Sequence, residues 1–293
     1  MLPAMATARL LGRGQGWRAY DVICTAGPGD RPFEEQHANA TITLVTCGSF
    51  HYRGSAGAAL LVPGALLLGN RGACYRCGHE HGRGDRCLSL QFDPAPLEDA
   101  VAAVPGARRA VFDRACLPPS HALAPLLAAV EAAVVEGAAA EGATAQAATG
   151  HGDAAGLDEL VWRLVLAVIG LLAEAPAAGR PPSAGDLRRV AEAARRIAAV
   201  PDEPARLGDL AAAAGVSPYH FLRMFSRVVG LTPHQYRLRC RLGRAALRLR
   251  DSGEPVSAIA FDAGFGDLST FNRRFKRVTG QTPGAYRGRR AAS

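Results

Sequence analysis

The sequence predicts an α+β protein, in which a region of short strands is followed by helices and then by an all-α C-terminal domain. Short apolar runs broken by Gly, Pro and Asn fill residues 20–92, a pattern typical of a small all-β sandwich or barrel. After Pro96, Ala and Leu recur at helical spacing, and an internal repeat occupies the last third. The length of 293 residues allows two domains with separate cores. We place these domains at residues 1–180 and 183–293.

The first domain divides into candidate strands and candidate helices. The clearest strand runs are residues 41–45, 58–62, 65–68 and 88–92. Helical spacing covers residues 121–136 and 157–175, and the Ala- and Gly-rich stretch between them, 137–156, is predicted to be a mobile connection. The Pro- and Gly-containing stretch 176–185 marks the expected domain boundary.

The C-terminal repeat has the pattern of two helix-turn-helix units. The motif Gly-x-Thr-Pro-x-x-Tyr-Arg begins at Gly230 and again at Gly280. In this motif Gly ends one helix, Thr caps the next, and Pro occupies its first position. Upstream of each copy, an Ala-rich helical stretch meets a Gly turn and a polar N-cap, which is Ser217 in the first unit and Asp267 in the second. In such units the second helix enters a major groove of DNA.

The two candidate recognition helices are residues 218–228 and 268–278. We expect Leu222 and Phe225 to be buried on the first helix, and Phe271 and Phe275 on the second. The side chains predicted to face DNA are Tyr219, His220, Arg223, Arg227, Ser269, Thr270, Asn272, Arg273 and Arg277. Arg suits bidentate hydrogen bonding to guanine, and Asn suits adenine.

A long amphipathic helix is predicted between the two units, at residues 233–249. A rigid helix there would hold the recognition helices about 34 Å apart, which is one turn of DNA. Charge supports the same partner, because residues 186–290 hold 20 basic and 9 acidic side chains, a net charge of +11, while the rest of the chain carries −3. A basic module joined to a mildly acidic one indicates that only the C-terminal part contacts a polyanion.

The tandem units and the repeated motif resemble the C-terminal domain of the AraC/XylS family of bacterial regulators, over about residues 186–287. The resemblance implies seven helices, binding of double-stranded operator or promoter DNA through both units, and contact with RNA polymerase. It also implies a cupin-like β-barrel that senses a signal, and a helical segment that forms a homodimer. The effector would be a small molecule or a metal ion.

A cluster of soft donors in the first domain is a candidate metal site. Its members lie within fourteen positions and are Cys74, Cys77, His79, His81 and Cys87. Zinc or another late transition metal prefers such donors. Two alternatives stay open, a thiol-based redox sensor and a turn-rich strand connection whose thiols have no role. No cofactor is certain from the sequence.

Other classes of function find less support. No Ser/His/Asp arrangement, phosphate loop or paired-carboxylate motif has usable spacing, so we expect no enzyme. The alternative is a metal-dependent cupin enzyme with a DNA-binding appendage, and a third reading is an architectural DNA binder with little sequence preference. The absence of a signal-peptide pattern and of a long apolar run predicts a cytoplasmic protein without a membrane partner.

Overall fold

The computed structural model describes residues 6–27, 30–79, 84–107, 110–120, 122–143, 154–174, 182–203 and 205–288. The described strands are β1 Ala6–Gly14, β2 Trp17–Cys24, β3 Phe33–Gln36, β4 Ala40–Gly48, β5 Phe50–Gly54, β6 Gly57–Leu61, β7 Leu66–Gly69, β8 Cys74–Gly78, β9 Asp85–Phe92 and β10 Cys116–Leu117. The four predicted strand runs coincide with β4, β6, β7 and β9.

The strands form two antiparallel sheets. The larger sheet has the order β1-β2-β9-β4-β7-β10, and the smaller has the order β3-β8-β5-β6. Among the described strands neither sheet closes on itself, so the strand pairing is that of two open sheets. The described strands therefore do not form the closed barrel that the sequence predicted, but an N-terminal β region within a mixed α and β protein.

The first hairpin was not predicted. β1 and β2 pair from Ala6 opposite Cys24 to Gly14 opposite Trp17, with an irregularity between Leu10 and Gly12. The stretch Ala6–Gly14 lacks the alternation and the β-branched residues that indicate a strand, apart from one Thr. Pairing with β2, whose Trp17 is buried, outweighs that weak local preference.

The described helices are α1 Pro94–Ala102, α2 Ala124–Ala143, α3 Ala154–Glu174, α4 Ala184–Ala199, α5 Leu207–Ala213, α6 Pro218–Val229, α7 Pro233–Asp251, α8 Val256–Asp262, α9 Leu268–Thr279 and α10 Pro283–Gly288. Seven of them, α4 to α10, follow residue 182, as the family resemblance implies.

The prediction of a mobile connection at residues 137–156 was wrong at both of the ends that the structure describes. Helix α2 continues to Ala143 because its many alanines outweigh single glycines, and α3 begins at Ala154. Residues 144–153 lie outside the described part.

Three hydrophobic clusters hold the described residues together. The outer face of the larger sheet packs against α1, α2 and α3 around residues such as Trp17, Leu90 and Val165. A second cluster joins both sheets to α4, α5 and α6, through Tyr52, Leu61 and Phe225 among others. The third belongs to the end of the chain and centres on Phe271 and Phe275. The first helix-turn-helix unit thus shares its core with the β region.

No described helix combines the length and the apolar composition that a membrane span requires.

Candidate DNA-binding surface and sheet cavity

The first unit, α5 and α6, is assembled by the caps that the sequence predicted. The Ser217 hydroxyl accepts a hydrogen bond from the backbone N–H of His220 and starts α6. Gly230 ends α6 in the left-handed conformation, with φ of 75°. Thr232 and Gln235 then form a capping box at the start of α7. The Ser217 and Thr232 hydroxyls accept hydrogen bonds from backbone N–H groups of the first helical turn, which have no partner within the helix.

The second unit, α8 and α9, repeats this construction. Asp267 accepts a hydrogen bond from the backbone N–H of Thr270, 2.7 Å away, and starts α9. Gly280 ends α9 with φ of 77°. Thr282 accepts a hydrogen bond from the backbone N–H of Ala285 at the start of α10. The two units therefore present their recognition helices from equivalent caps.

The nine predicted DNA-facing side chains lie on the outer faces of these two helices. Thr270 is half-buried and the other eight are exposed. Arg223 and Arg273 each stand six residues after their N-cap, so they occupy equivalent positions. The guanidinium of Arg223 lies 5.7 Å from the centre of the exposed Tyr219 ring. Arg227 is not free, because it pairs with Asp186 on α4 at 2.9 Å.

The buried stripe of α6 differs by one position from the prediction. Phe225 is fully buried as expected, but Leu222 is half-buried, and Phe221 and Met224 fill the core instead. Phe221 is the counterpart of Phe271, four residues after the N-cap in each unit. The repeat, aligned cap to cap, would have identified it.

The linking helix α7 packs against both units. Tyr236 is buried in the core of the first unit, whereas Leu242 and Leu249 are buried in the core of the second. Arg239 is also buried, 8% exposed, and this burial lowers its pKa to about 10. Arg241 donates a hydrogen bond to the carbonyl of Ala263 at 2.6 Å. Side chains of this one helix thus connect the two units, and the rigidity of the connection stays a prediction.

A cavity of about 910 Å³ is lined by residues of both sheets. Inside it the rings of His37 and Tyr75 stack with centres 4.1 Å apart, and His37 Nε2 lies 3.0 Å from the Tyr52 hydroxyl. Burial lowers the pKa of His37 to about 4. Tyr75 donates a hydrogen bond to Glu35 Oε2, whereas Glu35 Oε1 is buried without a partner. The cavity therefore has polar groups on an aromatic lining, as small-molecule sites do.

The predicted cysteine and histidine cluster is only partly brought together. Cys74, Cys77, His79 and Cys87 all line the cavity. Of these four, Cys74 is exposed and the other three are buried, and His81 lies outside the described residues. The described donors that converge most closely are those of Cys24, His79 and Asp85, which all lie within 4.8 Å of one another. Sequence reasoning missed Cys24 and Asp85, and the cluster stays a prediction.

The groups around His79 form one connected network. His79 Nε2 pairs with Asp85 Oδ2, and Cys87 Sγ donates to Asp85 Oδ1 at 3.3 Å. Burial lowers the pKa of His79, but hydrogen bonds with Asp85 and Cys24 outweigh it and raise that pKa to about 9. Burial first, and the charge of Asp85 next, raise the pKa values of the Cys77 and Cys87 thiols. Without a cation these thiols therefore stay protonated.

Comparison with known proteins points to the same C-terminal segment. Residues 210–289 match a family described as a helix-turn-helix domain. An HTH-type transcriptional regulator of Mycobacterium tuberculosis is 40% identical over 107 residues, which are 36% of this chain and 38% of that protein. The right origin-binding protein of Escherichia coli K12 is 40% identical over 86 residues, 29% of this chain and 30% of that protein.

A solved structure is similar to part of the chain. It is a transcriptional regulator with an AraC-type DNA-binding domain from Chromobacterium violaceum, 29% identical, covering 37% of this chain and 97% of that chain, with a TM-score of 0.35. The chain spans well under half of the two relatives' lengths.

Residues 210–289 are a DNA-binding helix-turn-helix domain. More particularly, this segment is of the AraC type and contains two helix-turn-helix units joined by α7.

Proposed function

We propose that the whole chain is a sequence-specific transcriptional regulator, without catalytic activity, that binds operator or promoter DNA through α6 and α9. The observation that carries this proposal is the equivalence of the two recognition helices. Each begins at a side-chain cap, buries two phenylalanines at the same offsets, and exposes an arginine six residues after the cap. Two such helices held by one rigid helix suit two successive major grooves.

The exposed side chains divide by chemistry. Arg223 and Arg273 lie near the middle of their helices and read base edges, because a guanidinium can donate two hydrogen bonds to one guanine. Tyr219, His220, Ser269 and Asn272 contribute further contacts. Arg227 and Arg277, near the C-terminal ends, hold the phosphate backbone, which positions the protein without conveying sequence. For Arg227 this requires exchange of its Asp186 partner for a phosphate.

The N-terminal region senses the signal and forms the homodimer. Its cupin-like cavity, with His37, Tyr75 and Glu35 inside, suits a small polar molecule. Val135 on α2 is 41% exposed and Leu166 on α3 is 38% exposed, so these helices offer apolar surface to a homodimer partner. Dimerisation would raise operator affinity by increasing effective concentration, and bound regulator would contact RNA polymerase.

The test is selection of bound sequences from a random DNA pool, followed by affinity measurements on the full-length chain and its variants. Arg223→Ala and Arg273→Ala should each cost about 1–3 kcal/mol on the selected site and relax the preference at one base pair. The two variants should relax different base pairs, separated by about one helical turn.

Arg195→Ala is the matched control, since it removes one exposed positive charge from α4, outside both recognition helices. It should preserve every base preference. If the pool yields no preferred sequence, or if all three variants weaken all sequences equally, the chain does not read bases through α6 and α9. An architectural DNA binder would give that second result together with a steep dependence on salt.

A further inference from the structure

Three donor groups from distant parts of the sequence converge at one end of the sheet cavity. Cys24 ends β2 and Asp85 begins β9, and the two residues are direct partners in the antiparallel pairing of these strands. His79 directly follows β8, which belongs to the other sheet. Their Sγ, Oδ and imidazole nitrogen atoms all lie within 4.8 Å of one another. The site therefore joins the two sheets.

We propose that Cys24, His79 and Asp85 bind a divalent late transition metal ion of the zinc class, with a fourth coordination position facing the cavity. A thiolate, an imidazole and a carboxylate are the three donor types that zinc uses in proteins. Around a tetrahedral ion with bonds of about 2.0–2.3 Å, the donors lie about 3.3–3.8 Å apart. Because the three donor atoms lie within 4.8 Å of one another, small side-chain movements bring them to that spacing.

The donor set excludes the common hard cations. Calcium takes six to eight oxygen ligands, and magnesium keeps an octahedral shell of oxygens. Only Asp85 supplies oxygen here, whereas the sulfur and the nitrogen favour a borderline ion. The side chains of His79 and Asp85 are 2% and 6% exposed, and Cys24 is buried as well. Buried charged groups usually have a partner or coordinate a metal.

The surroundings of the three ligands are those of a supported site. Cys87 Sγ donates a hydrogen bond to Asp85 Oδ1, which leaves Oδ2 directed towards His79. Hydrogen bonds of this kind orient a coordinating carboxylate. Gly84, with φ of 69°, brings the chain close to β2, because a Cβ at this position would lie 2.5 Å from the carbonyl oxygen of Cys24. The backbone thus holds Asp85 opposite Cys24.

The test uses untagged full-length chain, stripped of metal with a chelator and titrated with Zn²⁺ in competition with a chromogenic chelator. The wild-type chain should bind about one ion per chain. Cys24→Ser and Asp85→Asn should each weaken binding by more than a hundredfold. Cys87→Ala, which removes the hydrogen bond that supports the carboxylate, should weaken binding by about ten- to a hundredfold.

Cys74→Ser is the matched control, because Cys74 belongs to the same sequence cluster but lies exposed on β8. It should leave zinc affinity unchanged. Loss of binding in Cys74→Ser together with retention in Cys24→Ser would overturn this ligand set. Circular dichroism of each variant separates loss of a ligand from loss of the fold.

A second measurement needs no variant. Co²⁺ bound to the wild-type chain should show thiolate-to-cobalt charge-transfer absorption in the near ultraviolet and the strong visible bands of a tetrahedral site. X-ray absorption of the zinc-loaded chain should fit one sulfur and otherwise only nitrogen and oxygen neighbours. A fit that requires three or four sulfurs, or a wild-type chain that binds no zinc, would overturn the proposal and leave His79 and Asp85 as a buried ion pair.

Discussion

The two helix-turn-helix units have the same local construction but different attachment to the rest of the molecule. The first unit has no core of its own, because Phe221 and Phe225 share a cluster with Tyr52 and Leu61 of the smaller sheet. The second unit buries Phe271 and Phe275 in a separate cluster formed by α7 to α10. One sequence pattern thus yields a unit fixed to the β region and a unit with its own core.

The second unit compensates for its separate position with local interactions. The rings of Phe265, Phe271, Phe275 and Tyr286 contact one another in succession, with centres 5.2–5.5 Å apart. Arg248 near the end of α7 pairs with Glu254 and, at 2.9 Å, with Asp262. The second unit meets the N-terminal region where Gly280 approaches α2, but its hydrophobic core is separate from that of the β region. We therefore expect the second unit to move, and to unfold, more independently than the first.

The largest expected effect comes from truncating the equivalent phenylalanines. Phe225→Ala and Phe275→Ala should each lower the free energy of unfolding by about 3–5 kcal/mol, because both rings are fully buried. Hydrogen exchange followed by mass spectrometry should show faster exchange in β5, β6, α4 and α6 for Phe225→Ala. For Phe275→Ala the faster exchange should be confined to α7–α10. The same pattern in both variants would remove the distinction between the units.

Acid provides a way to loosen the β region without a mutation there. The pKa of His37 falls to about 4 in the folded chain, from about 6.5 in an unfolded one. Between pH 6.5 and pH 4 the unfolded state binds more protons at this side chain than the folded state does, so the free energy of unfolding decreases as pH falls. The total decrease, reached once His37 is protonated in both states, is roughly 3 kcal/mol. Tyr52 and Tyr75 face His37, and Glu35 lies behind Tyr75.

Exchange measured across this pH range, corrected for the intrinsic rate, should accelerate in the sheets and in α6 before it accelerates in α9. His37→Gln should flatten the pH dependence of the β region. His234→Gln is the control, because His234 is exposed at the start of α7 and should change nothing. Equal acceleration in α6 and α9 would mean that the two units unfold as one body.

The sequence revealed those parts of the fold that are specified over short distances. Ser217, Asp267, Thr232 and Thr282 were identified as caps because capping depends on residues within one turn, and the structure shows each hydrogen bond. The order of elements in the C-terminal domain followed from these signals. The repeat then made each unit a check on the other.

The sheet region and the candidate metal site depend on long-range pairing. Cys24 and Asp85 are 61 positions apart and become neighbours only through the register of β2 against β9, which no local pattern specifies. The cluster from Cys74 to Cys87 was predicted because its members are close in sequence, yet Cys74 is exposed whereas Cys87 is buried. The smaller sheet pairs β8 with β3 and β5, so Cys74 and Cys77 lie on a strand whose position is set by pairing with residues outside the cluster.

The smallest expected effect on stability concerns the glycines that end the helices of the two units. Gly230 and Gly280 have positive φ, and both meet the N-terminal region. A Cβ at Gly230 would lie 2.0 Å from Pro118 Cβ, and one at Gly280 would lie 2.6 Å from Ala128 Cβ on α2. Gly215 also has positive φ, 66°, but an added Cβ would find no atom within 4 Å. Gly215→Ala therefore measures the backbone cost alone, about 1–2 kcal/mol.

Gly230→Ala should lower the free energy of unfolding clearly more than Gly215→Ala, because α6 cannot leave Pro118 without breaking the core that it shares with the sheets. Gly280→Ala should cost nearly the same as Gly215→Ala, since the second unit can move away from α2 with its own core intact. That movement changes the placement of α9 relative to α6, so operator affinity should change in Gly280→Ala and stay close to wild type in Gly215→Ala. Thermal unfolding and DNA titration of the three variants measure both quantities. A loss of stability in Gly280→Ala as large as that in Gly230→Ala would show that α2 holds the second unit as firmly as the sheets hold the first.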